Sequence, residues 1–123
     1  MNVTLNNSGS SSIAIIESEE VVIVSVQDAL DLMATIQYNH DGCYKLLIHK
    51  SAIAEPFFDL STKLAGDILQ KFTNYKVKLA IVGDFSGYNS KSLKDFIYES
   101  NQGKQFFFLP DEQAALEALH NVR

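Results

Sequence analysis

The spacing of apolar positions changes several times along the chain, and each change predicts an element. Val3 to Leu5 and Ile13 to Ile16 are short β-prone runs separated by Asn6, Asn7, Ser8, Gly9 and Ser10. Asn, Ser and Gly tolerate turn backbones, so the stretch reads as a hairpin. After a second turn at Glu17 to Glu20, Val21 to Val24 reads as a third short strand. Ser25 then matches a helix N-cap with Asp28 in the capping-box position. Val26, Ala29, Leu30, Met33 and Ile36 follow at helical spacing, and Asn39 to Gly42 stops the helix. Tyr44 to His49 and Val77 to Val82 carry unbroken apolar centres, the pattern of strands covered on both faces.

Between those two strands, Phe57, Leu60, Leu64, Ala65, Ile68, Leu69 and Phe72 form an apolar stripe. The stripe predicts one helix from 57 to 72, with Pro56 in its first turn. Ser61 lies on this stripe as a small residue suited to close helix–sheet approach. A helix from Ser90 or Ser92 to Ser100 and a strand from Gln105 to Leu109 come next. Pro110 and Asp111 open a last helix that buries Ala115, Leu116 and Leu119. The order is β-β-β-α-β-α-β-α-β-α, which implies right-handed crossovers. The expected architecture is an α/β fold with a mixed, mostly parallel sheet, an N-terminal β-hairpin and about four helices. One domain over residues 1–123 is expected, with strands supplied by 1–24 and the first helix and βα units by 25–123.

Composition narrows the classes. The chain has 123 residues, is 46% hydrophobic and carries a formal net charge of −5. This supports one ordinary core and excludes compositional disorder. No run of 18 apolar residues exists to span a membrane, and the first residues lack the basic-then-apolar pattern of a secretory signal. A single cysteine, Cys43, makes no internal disulfide and fits a reducing cytoplasm. Residues 1–44 hold six acids and no lysine or arginine, whereas 45–104 hold nine lysines and six acids. No basic run exceeds two residues, so a nucleic-acid partner is not expected. Nor is a membrane partner.

Chemistry is expected where parallel strands end and helices begin. Two loops fit: 49–55, with His49, Lys50, Ser51 and Glu55, and 83–92, with Asp84, Phe85, Ser86, Tyr88, Ser90, Lys91 and Ser92. Ser86, Ser90, Lys91 and Ser92 could cradle a phosphate or carboxylate at a helix amino end. The plainer reading is that Ser90 or Ser92 caps the helix, with Asp95 completing a box from Ser92. His49 and Glu55 could pair as acid and base, though a histidine there more often ends a strand through a hydrogen bond. Phe85 and Tyr88 suit a contact surface if exposed, but folding back onto the core is favoured. A P-loop fails at Phe85 and Ser90, which stand where glycines are required. The segment Gly-Asp-Phe-Ser-Gly at 83–87 displaces by one the serine of a hydrolase elbow. His40 and Cys43 lack a second ligand pair for zinc. No catalytic set, metal site or cofactor is expected.

The stretches FFDLSTKLAGDILQKFTNY, KLAIVGDFS and SKSLKDFIYESNQG resemble a bacterial family known as a domain of unknown function, number forty-one eighty. That resemblance covers about residues 12–119 and implies no activity. The element order also resembles, more distantly, the STAS fold of anti-sigma-factor antagonists. Their Asp-Ser-Ser-Gly signature is absent, since this chain has Ala54 to Asp59 there, with Ser51 and Ser61 to either side. The resemblance therefore implies architecture and a non-catalytic role, not a phospho-switch. The leading expectation is a cytoplasmic, STAS-like regulatory module that binds a protein partner through loops 49–56 and 83–91 and the helix from 57. The alternative is a small-molecule or anion-binding protein, conceivably an enzyme, using Asp84, Ser86, Ser90, Lys91, His49 and Glu55. A homodimer is compatible with both.

Overall fold

A computed structural model describes residues 1–9 and 11–122; the expected turn position at Ser10 and the terminal Arg123 lie outside the described residues. The strands are β1 (Asn2–Asn6), β2 (Ile13–Glu17), β3 (Lys45–His49), β4 (Lys78–Val82) and β5 (Phe106–Leu109). The helices are α1 (Val26–Asn39), α2 (Leu64–Asn74), α3 (Lys91–Gln102) and α4 (Glu112–Asn121). They form one five-stranded sheet in the spatial order β1-β2-β3-β4-β5. β1 and β2 are antiparallel, and every later pairing is parallel. The expected mostly parallel α/β architecture with its opening hairpin is the one observed.

Alternation along the strands explains their unbroken apolar runs. Ala14, Ile16, Leu46, Ile48, Leu79, Ile81 and Phe108 bury against one layer that holds Ile36, Phe72 and Leu93 of α1, α2 and α3. Ile13, Ile15, Leu47, Ala80, Val82 and Phe107 face the other way, onto Ala115 and Leu119 of α4. With both faces covered, no position on a central strand can be polar without a partner. Ser25 caps α1 with the complete capping box expected from Asp28. Gly42 takes a φ of +83° just beyond that helix, a backbone costly for any other residue.

Two expectations give way. Val21–Val24 is not a strand: only Ile23 makes a parallel bridge, to Ile53. Its neighbour is the irregular segment 52–54, which passes directly into the 3₁₀ turn Glu55–Phe58 at Pro56, so the extended backbone that a longer ladder needs ends there. The helix from 57 to 72 is likewise broken. Glu55–Phe58 and Leu60–Thr62 are separate 3₁₀ turns, and Lys63, in the left-handed region at φ 65°, precedes α2. Asp59 and Thr62 cause the break. The Asp59 carboxylate accepts from the Ser61 N–H at 3.1 Å, and the Thr62 hydroxyl donates to the Pro56 and Asp59 carbonyls. Such side chains offer the backbone an alternative to the helical ladder. The apolar stripe survives the break, with Phe57, Ala65, Ile68, Leu69 and Phe72 still inward, and Phe58, which lies off it, buries beside them. Ser61 does not: it is exposed, with its hydroxyl on Asp59 at 2.6 Å, so it spaces nothing.

Candidate functional site

The register sets the rim. His49 pairs with Val82, so the loops after β3 and β4 emerge side by side at the carboxyl end of the parallel sheet. The strand order is sequential, so the crevice that opens where strand order reverses in doubly wound sheets does not form. The rim instead splits into two surfaces on either side of the Lys50 backbone.

On the first surface, Lys50 leads a 3₁₀ turn and sends its ammonium to Glu55 Oε1 at 3.2 Å. The Tyr88 hydroxyl donates to both oxygens of the same carboxylate, at 3.2 and 3.0 Å. The ammonium also stands 5.0 Å from the centre of the Tyr88 ring and 5.4 Å from that of Phe58. Phe58 stacks on Tyr88 and contacts Phe85, which meets Phe108 edge-on, so the platform is rooted in the core. Tyr88 is the first cause holding Lys50 above its ordinary pKa; Glu55 adds to this, and burial opposes both. Burial pushes the Tyr88 phenol up in turn. Both shifts favour the protonated ammonium of Lys50 and the protonated phenol of Tyr88 beside Glu55. Beside it, Glu55, Phe58, Asp59, Tyr88 and Ser90 line a depression of about 450 Å³.

On the second surface, His49 Nε2 lies 3.7 Å from Glu112 at the start of α4 and not beside Glu55. These two residues share a groove of about 740 Å³ with Glu17, Ser18, Glu19, Glu20 and Ser51. Four carboxylates and no lysine or arginine line it. Three of the acids come from the end of β2 and the turn after it, which the sheet sets beside the end of β3, and Glu112 comes from the start of α4. Sequence reasoning reached only His49 and Ser51 here. The cluster of glutamates directly after a predicted strand was the signal that could have found the rest.

Thus Lys50, Glu55, Phe85 and Tyr88 are brought together, with Phe85 and Tyr88 folded back as favoured from sequence. The remaining candidates serve local geometry. Asp84 Oδ1 accepts from the Ser86 N–H at 2.9 Å and its hydroxyl at 2.6 Å, and these bonds hold its carboxyl below its ordinary range. Ser90 caps α3 by accepting from Leu93 N–H, a role open between Ser90 and Ser92 in the sequence. Ser92 is exposed on the first turn of α3, and Lys91 pairs with Asp95 at 2.7 Å on the same helix. Ser86, Ser90 and Lys91 are each taken up by a partner in their own loop or helix. Among the described residues, no group of three or more His, Cys, Asp or Glu is placed to hold a metal ion. No helix there is long and apolar enough to cross a membrane. Cys43 is buried in the core, inaccessible to solvent.

Comparison with known proteins finds one family model, described as a domain of unknown function (DUF4180), which matches residues 8–119. No curated protein and no solved structure matches the chain.

Proposed function

This chain belongs to the DUF4180 family of unknown function, and from the geometry of its rim we propose that it is a non-enzymatic, STAS-like interaction module of the bacterial cytoplasm. Its partner is a protein that presents basic side chains to the groove between Glu17 and Glu112. The observation that carries this reading is the division of the rim. Groups that could do chemistry are already engaged: Lys50, Glu55 and Tyr88 with one another, Asp84 with Ser86 of its own loop, and Lys91 with Asp95 of its own helix. In the groove, by contrast, Glu112 stands against His49, while Glu17, Glu19 and Glu20 line an opening that holds no lysine or arginine. A concave acidic surface beside a rigid aromatic platform supplies charge for encounter and a firm edge for docking.

The anion-binding alternative finds less support. It needs Lys91 and the neighbouring serines to converge, and an anion would meet four carboxylates across the rim. A nucleic-acid partner is disfavoured by the same charge.

Capture from a native bacterial lysate tests the reading with two baits, the wild type and a Glu17→Lys, Glu20→Lys variant. A protein retained by the first, lost from the second and released by salt is the expected result, since exposed charge pairs weaken as ionic strength rises. Retention of no partner, together with turnover or thermal stabilisation by a phosphorylated metabolite, would overturn it in favour of the alternative.

A further inference from the structure

The opposite rim, where the parallel strands begin, carries a surface of different chemistry. Tyr44 and Tyr75 form a ridge there and are 49% and 61% exposed. Tyr38, on the last turn of α1, is 90% exposed. Large exposed aromatics gathered at one end of a small domain are typical of contact surfaces. Two concavities flank the ridge, and both tyrosines line both of them.

The two concavities differ in charge. The one along α1, about 590 Å³, is floored by Leu30, Met33 and Val77 and carries Asp31 and Asp41, with no lysine or arginine. The other, about 830 Å³, carries Lys76 and Lys78 with no aspartate or glutamate. Lys45 also lines it, but its ammonium is turned inward onto Ser11 and the carbonyls of Leu119 and Val122. Lys78 donates to the Lys104 carbonyl at 3.0 Å, leaving its charge without a carboxylate among the residues of that concavity.

A patch that is acidic at one end, aromatic in the middle and basic at the other is complementary to itself. Rotation by half a turn about an axis through the ridge lays Asp31 and Asp41 of one copy against Lys76 and Lys78 of the other, twice over. This is the arrangement a closed two-fold contact requires, in which each residue pairing occurs in both directions. We propose that the Tyr44–Tyr75 ridge is a homodimer interface, occupied by a second copy of this chain. The acidic groove at the other rim stays free in such a dimer, so this inference stands or falls apart from the partner-binding reading.

Sedimentation over a concentration series, with circular dichroism to verify folding, tests it. The wild type should dimerise reversibly, and Tyr75→Ala should raise the dissociation constant about tenfold or more. Asp31→Lys with Asp41→Lys makes both ends basic, and Lys76→Glu with Lys78→Glu makes both ends acidic. Each of these folded variants should be monomeric alone, and an equimolar mixture of the two should form a heterodimer. A wild type that stays monomeric at every concentration, a dimer indifferent to all these changes, or a mixture that fails to associate would overturn the proposal.

Discussion

Gly83 lies so close to Lys50 that a methyl group on its Cα would stand 2.6 Å from Lys50 Cβ. Contact at that point leaves no room because both atoms are fixed to backbone, Gly83 by its N–H bond to the Leu109 carbonyl at 3.0 Å. The absence of a side chain at the end of β4 is what lets the Lys50 stem cross the rim and reach Glu55. Gly83→Ala should therefore destabilise the protein by about 1–3 kcal/mol, the usual cost of overpacking. Urea unfolding followed by tyrosine fluorescence measures it; a change under about 0.5 kcal/mol would show that the rim has slack.

Alkaline pH tests the platform. Lys50 is held above its ordinary value of 10.5 first by Tyr88, and Tyr88 is held above 10.0 by burial. For both groups the folded state keeps a proton that the unfolded chain releases. Their contribution is whole below about pH 10 and is lost as pH climbs through the raised folded values. Lys45 acts with the opposite sign, because burial first and Lys78 second lower its pKa. A comparison with Tyr88→Phe, which leaves Lys45 unchanged, isolates the platform. The stability advantage of wild type over Tyr88→Phe should shrink as the pH rises above about 10; a constant difference would contradict the shifts.

Lys45 ties the sheet to the last helix. It is 7% exposed, and its ammonium donates to the Ser11 hydroxyl at 2.9 Å and to the carbonyls of Leu119 and Val122. Those carbonyls belong to the carboxyl end of α4, where a cation also complements the helix dipole. Lys45→Met preserves the stem and removes the charge, and should cost about 2–3 kcal/mol. Amide exchange in α4 should accelerate more than in α1. Equal acceleration in both helices would mean the tether is not local.

Asn101 closes an edge. Its side-chain amide donates to the Phe108 carbonyl at 3.0 Å, and its Oδ1 accepts from the Phe108 N–H at 2.8 Å. β5 is an edge strand, and this pair satisfies backbone groups that no neighbouring strand meets. Asn101→Leu should lower stability by about 1–3 kcal/mol and expose the edge, which light scattering on storage would register as aggregation. A variant as stable and soluble as wild type would remove Asn101 from this role.

Much of the fold was legible in local pattern. Leu46 to Ile48 and Leu79 to Val82 announce covered strands, and Ser25 with Asp28 announces the start of α1. The segment after Pro56 reads as one helix because its apolar spacing is helical, even though the backbone forms two 3₁₀ turns there. Periodicity records which side chains point inward, whereas Asp59, Ser61 and Thr62 decide hydrogen bonding through short side chains that leave that spacing intact. In the site, the nearness of Lys50 to Glu55 could be guessed along the chain. Tyr88, 33 residues from Glu55, could not.

The amino-acid order alone determined the class of this protein: it marked the five segments that form the sheet, although it added Val21–Val24 to them, and most of the helices that cover it, and it pointed to the loops that follow β3 and β4. These follow from alternation, helical spacing and caps, all of which act within a few residues. Only the folded arrangement decided how those loops are spent. It set Lys50 on Glu55 and Tyr88, turned His49 toward Glu112, and gathered glutamates from β2 and α4 into one groove. Such choices depend on strand register and on which side of the sheet a side chain leaves, and they bring together residues that lie far apart in the chain.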